Sequence, residues 1–226
     1  MQNWILPLTT LQVCALSFFL LLRDREMHPV REGVTPEPEA LKKDRQYMLI
    51  YAASAVVVLL VLSLCLPGML PGNTVFDNLK RMLLLAVIWP VAYIDYKTYR
   101  IPNAFVLMGL AVRVVLLPFE FLADDRRAMY MLISEVVAAG ALFAAAMLCS
   151  VCAKGSIGFG DIKLFVVLGL FLGTTGSWGA IFTALLVSLA TVLFLMATKR
   201  KGRKDSIPFG PAIVIGTFIS VCLTGM

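Results

Sequence analysis

Two stretches of this 226-residue sequence set a carboxylate where an apolar run meets a polar one. In Gly158-Phe159-Gly160-Asp161-Ile162-Lys163-Leu164, an aspartate follows two glycines at the mouth of an apolar segment. In Tyr93-Ile94-Asp95-Tyr96-Lys97-Thr98-Tyr99-Arg100-Ile101-Pro102-Asn103, a second aspartate closes one. Charges at such places are costly in a membrane and mark function by default. Two carboxylates brought close cannot both ionise easily, so they hold a shared proton near neutrality. The ionised member takes a proton from water, and the protonated member polarises a carbonyl oxygen. A peptide bond is then cut with no covalent intermediate, and neither metal nor cofactor is required. No Ser/His pairing is visible, and the one histidine, His28, lies in a charged loop.

The neighbours of these acids suit an extended substrate. Gly158 and Gly160 allow unusual backbone angles and close approach of another chain. Pro208-Phe209-Gly210-Pro211 opens the last apolar run, and Pro211 lacks an amide donor, so an irregular helix start there is expected to wall the site. Gly158, Gly160, Pro208 and Gly210 are therefore the expected substrate-binding positions. Blander roles compete. Asp161 suits a helix N-terminus, and Asp95 suits a surface pair with Lys97 or Arg100. Each is the better reading of its residue alone; the two acids on one face, with Ile-Pro-Asn and Ile-Pro-Phe-Gly-Pro nearby, favour catalysis.

Positioning these residues falls to helices in a bilayer. The chain is 60% hydrophobic and only 15% charged, where a soluble domain carries about 25%. Apolar runs of about 20 residues match a bilayer span, and strand periodicity is absent. The sequence predicts an all-α polytopic transmembrane bundle of about eight spans, near 4–22, 47–66, 79–94, 102–122, 129–152, 162–172, 178–197 and 207–226. It divides into a membrane anchor with a polar, partly disordered cytoplasmic loop (1–46) and a membrane-embedded catalytic part (47–226). Breaks are expected at Pro67-Gly68, at Pro71-Gly72 and from Gly173 to Gly176. Met1 to Asn3 carry no positive side chain, which argues for a retained anchor.

The net charge of +6 does not point to nucleic acid. The loops after spans one, three, five and seven hold fifteen of the twenty Lys and Arg residues, so they face the cytoplasm. Lys80, Arg81, Arg126 and Arg127 fall on the opposite side. Asp95 and Asp161 then share the cytoplasmic face. The five cysteines (Cys14, Cys65, Cys149, Cys152, Cys222) sit in apolar runs and read as small buried hydrophobes; Cys149 and Cys152 lack a second pair to complete four metal ligands. Arg113 and Glu135 reach similar depths in adjacent spans, where the cost of each charge alone predicts an ion pair.

The blocks from Asp95 to Asn103, Gly158 to Leu164 and Ile207 to Gly216, in this order, resemble those of the type IV prepilin peptidases, membrane aspartic proteases of the Gly-x-Gly-Asp class. The likeness covers about spans three to eight. It implies an aspartic endopeptidase that removes the basic leader of prepilin-like proteins at the cytoplasmic border of the substrate's apolar helix, commonly after a glycine, in a bacterial inner membrane. The family's two catalytic aspartates map onto Asp95 and Asp161. Longer members carry an N-terminal methyltransferase portion, often with two Cys-x-x-Cys pairs in a cytoplasmic loop. Here the loop from Arg23 to Gln46 is short and holds no cysteine, so the chain looks like a peptidase-only member, as in some pilus and competence-type systems of bacteria.

Two other classes compete. A transporter would use the same acids as a cation or proton site, but they lie near one face and no repeated half is evident. A non-catalytic scaffold for a pilus or secretion machine would leave the carboxylates widely separated.

Overall fold

The computed structural model describes residues 7, 10–12, 15, 18, 38–69, 74–152, 157–199 and 207–224, and every regular element among them is helical. Six helices have defined ends: α1 Pro38–Met69, α2 Val75–Thr98, α3 Asn103–Ala123, α4 Asp125–Cys152, α5 Phe159–Ala197 and α6 Gly210–Thr224. Most of the expected first span and its loop, with His28 and Cys14, lie outside the described residues.

Helix ends differ from expectation where local chemistry extends them. α1 starts at Pro38, ahead of Tyr47, and one helix crosses the expected boundary at 46/47. Proline suits a first turn. α1 also runs through Pro67-Gly68 to Met69, where a turn was expected. α2 begins at Val75 because Thr74 and Asp77 form a capping box, the Asp77 amide donating to Thr74 Oγ1 and the Thr74 amide to Asp77 Oδ2. Pro102 is the N-cap of α3. The gap expected between spans 102–122 and 129–152 shrinks to Asp124, which caps α3 and receives the Arg127 amide on its side chain.

α3, α4 and α5 are long and apolar enough to cross a membrane; Leu49–Leu64 and Gly210–Cys222 are shorter apolar helices. The outer faces of α4 and α5 are apolar and uncovered by protein: Val136, Val137, Phe143, Leu148, Leu185 and Leu189 are exposed. Only 11% of the most apolar stretch of α5 is buried in the protein. Faces this large and apolar call for lipid. Cys149 and Cys152 share this exposure, which corrects their reading as buried residues: an apolar run in a membrane helix can face lipid instead of protein.

The core forms around α2, whose Met82, Leu84, Leu85, Ala86 and Ile88 are fully enclosed. α5 is broken at Gly173 alone, whose φ of 64° and ψ of −168° suit glycine. The chain reverses there. Val167, before the break, packs toward Gly109. After it, Ser220 Oγ donates to the Gly176 carbonyl at 3.3 Å and Thr183 Oγ1 to the Gly216 carbonyl at 2.9 Å. Residues 174–197 thus run antiparallel to α6, back toward the end where α6 begins.

The expected Arg113–Glu135 pair is present, and it belongs to a larger group. Arg113 Nε donates to Glu135 Oε2 at 2.9 Å, and Arg113 Nη2 pairs with Glu135 and with Glu120. Lys80 Nζ closes the ring, 2.8 Å from Glu135 and 3.4 Å from Glu120. All four side chains are buried. Lys80, read from the sequence as an outward loop charge, lies inside the bundle because two glutamates are there to neutralise it.

Candidate active site

Four helix ends meet around the two aspartates. Asp95 sits in the last turn of α2 and is buried, 6% exposed. A helix C-terminus repels a carboxylate, so Asp95 needs outside partners. α6 supplies them: the Gly210 amide donates to Asp95 Oδ2 at 2.6 Å, and the adjacent Phe209 amide supports the same carboxylate. Asp95 thereby caps the positive end of a helix 115 residues further along the chain.

Asp161 is the third residue of α5, after the N-cap Gly158. The Gly158 amide supports its carboxylate, which makes one half of a capping box; glycine offers no side chain for the other. The Asp161 carboxylate lies within electrostatic reach of Asp95. Each acid therefore rests on a helix N-terminus, Asp161 on its own and Asp95 on that of α6, which offsets part of their mutual repulsion.

Close contacts draw these ends together. A Cβ at Gly210 would stand 2.8 Å from Asp95 Oδ2 and 2.9 Å from Asp95 Cβ, so the helix start reaches the acid only as glycine. A Cβ at Gly160 would lie 2.9 Å from Ile101 Cβ. The room that the sequence reserved for substrate at Gly160 is filled by Ile101, in the turn between α2 and α3. Lys163 Nζ donates to Asn103 Oδ1 at 2.8 Å across the same seam, and Phe165 meets Phe209 edge-on at 6.0 Å. Gly158 is exposed, and Pro208 is half-buried in the non-helical lead-in to α6.

All six residues singled out from the sequence thus lie on the converging ends of α2, α5 and α6. Ile101, Lys163 and Asn103 were not assigned as site residues, although they flank Asp95 and Asp161 in sequence. Among the described residues, no group of three or more His, Cys, Asp or Glu could hold a metal ion. A cavity of about 40 Å³ lies at the other end of the bundle, lined by Asp77, Lys80, Glu120 and Arg127 among others. It has room for a water or two and lies apart from the aspartates, at the far end of α2.

Comparison with known proteins bears on the family of the chain. The type IV leader peptidase family matches residues 82–196, just over half of the chain, and that stretch carries both aspartates. The prepilin leader peptidase/N-methyltransferase of Bacillus subtilis (strain 168) is 35% identical over 83 residues, which cover 37% of this chain and 33% of that protein. The match therefore spans about a third of the curated relative. No solved structure matches. On its family match this chain belongs to the type IV leader peptidase family.

Proposed function

We propose that this chain is an aspartic endopeptidase that removes the leader peptide of prepilin-like membrane proteins. Asp95 and Asp161 would share one proton and activate a water between them. The observation that carries the reading is the convergence of the helix ends that bear the acids: the start of α6 binds Asp95, the start of α5 packs on Ile101 just beyond it, and each acid rests on a helix N-terminus. Asp95, fixed by two backbone donors, is suited to stay ionised and take the proton of the water. Asp161, half-buried beside the open Gly158, is suited to hold the shared proton and give it to the carbonyl.

The wider setting belongs to the same proposal. The protein would be a multi-pass protein of a bacterial inner membrane, with about eight spans and the aspartates on the cytoplasmic face, where the Lys- and Arg-rich loops lie. The exposed backbone at Gly158 and the lead-in Ile207–Phe209 would receive the extended segment around the cleaved bond; Gly160 would serve by seating Ile101. Membership of a peptidase family favours this reading over a transporter using the same acids.

The test is co-expression with a prepilin and measurement of its size. Asp95→Asn and Asp161→Asn should each leave the prepilin uncut while the variant stays folded in the membrane. Normal processing by either variant would eliminate the shared-proton mechanism.

A further inference from the structure

The buried ring of Lys80, Arg113, Glu120 and Glu135 lies at the opposite end of the bundle from the aspartates. Along α2, Lys80 and Asp95 are about 22 Å apart at 1.5 Å per residue. A single ion pair would have neutralised Arg113, and the ring does more. In an unbroken helix the Leu170 carbonyl would accept from the Thr174 amide. The turn at Gly173 separates them. Thr174 N–H donates instead to Ser134 Oγ at 3.1 Å, and Arg113 Nε donates to the Leu170 carbonyl at 2.9 Å. Ser177 Oγ covers the Gly173 carbonyl at 2.5 Å. The Thr174 amide and the Leu170 carbonyl thus find partners outside α5, and the cation sits at a helix C-terminus, where its charge is favoured.

We infer that Arg113 is a positioning residue for Asp161: it caps the far end of the short helix 159–172 and thereby sets where the near end, carrying Asp161, stands relative to Asp95. The inference rests on the aspartyl-pair reading for its link to catalysis. Its mechanical content stands on the contacts alone. Glu135 and Glu120 hold the guanidinium, and Lys80 holds both glutamates on α2, the helix that carries Asp95. The two acid-bearing helices are therefore tied together at the end away from the chemistry. A segment about 21 Å long, fixed there and packed by Ile101 against Gly160, has little freedom to swing its acid away.

The double variant Arg113→Met with Glu135→Leu removes the cap and its counter-charge together and leaves Lys80 paired with Glu120. Exchanging a buried ion pair for apolar groups of similar size is close to neutral for folding. Spin labels at Tyr96→Cys and Phe159→Cys, both exposed positions beside the acids, read the geometry without any substrate; the five native cysteines are replaced by alanine. The expected result is a narrow label-to-label distance in the otherwise unaltered protein and a broadened or shifted one in the folded double variant. Prepilin cleavage should fall about 100-fold in kcat with KM little changed, the size of effect an ångström of misplacement produces. A folded double variant with an unchanged, narrow distance overturns the inference, whatever its activity. Should that variant not fold, Arg113→Lys keeps the charge but gives up the planar fork that serves Glu135, Glu120 and the Leu170 carbonyl at once. It must then broaden the same distance, and an unchanged distance sinks the proposal. The distance measurement decides this point even if prepilin is not the substrate.

Discussion

Adding one methyl group at Gly210 tests whether the start of α6 holds Asp95 in its working place. The backbone of Gly210 is not in the left-handed region, so alanine costs nothing there in conformation. The cost is contact alone. The new Cβ would stand 2.9 Å from Asp95 Cβ, whereas carbon atoms settle about 3.5–4.0 Å apart, so the two must separate by roughly 0.6–1 Å. That movement stretches the 2.6 Å bond from the Gly210 amide to Asp95 Oδ2 to beyond about 3.2 Å, the edge of a useful hydrogen bond. A bond to a charged group contributes about 1.5–3 kcal/mol. At 1.36 kcal/mol per tenfold in rate, cleavage of a prepilin by Gly210→Ala should fall about 10- to 100-fold. Overpacking should also lower stability by about 1–3 kcal/mol, which thermal unfolding in detergent would register. Gly140→Ala is the control: nothing lies within 4 Å of its Cβ on the outer face of α4, so cleavage should be unaffected. If Gly210→Ala cuts within threefold of the unaltered protein while Asp95→Asn is dead, the amide clamp is not what places Asp95.

A shared proton makes the rate of cleavage bell-shaped in pH, since both the doubly ionised and the doubly protonated pair lack one of the two roles; a profile with a single limb would contradict it. Thr74→Ala should destabilise the protein by about 1 kcal/mol through the lost N-cap, read as a lowered unfolding temperature. Burial pushes the Asp77 carboxyl up, but the Thr74 hydrogen bonds and the nearby Lys80 and Arg127 outweigh it and hold it below its ordinary value. Its contribution is therefore present above the unfolded-state pKa and lost as pH falls through the depressed folded-state one; unfolding temperatures of Asp77→Asn should converge on those of the unaltered protein in acid, and a gap that widens there would reverse the sign. Ser134→Ala leaves the Thr174 amide without its acceptor and should cost about 1–3 kcal/mol, with no change if water replaces the hydroxyl.

Much of this architecture is legible residue by residue. The apolar runs announce membrane helices, because a bilayer demands long stretches without charge and says so in composition. Asp95 and Asp161 stand out for the same reason, as acids at the mouths of such stretches. Arg113 and Glu135 could be paired from depth alone, since each is too costly without the other. Lys80 and Glu120 could not: Lys80 looks like an end-of-helix cation, and only the packing of α2 on α3 and α4 encloses it. Gly160 and Gly210 were visible as glycines, but what each must accommodate was not. The first meets Ile101 from a turn about 60 positions away, and the second meets Asp95 from more than 100. Sequence spacing carries no record of such contacts.

By itself the sequence determined the class of protein, the two candidate acids and the family to which the chain belongs, because burial cost and helix periodicity act locally and leave local marks. Tertiary structure alone decided which backbone amides hold Asp95, how the break at Gly173 is capped and why four charges lie buried together. Those depend on partners that meet only when distant helices pack, and the energy of each contact is set by the geometry of that meeting.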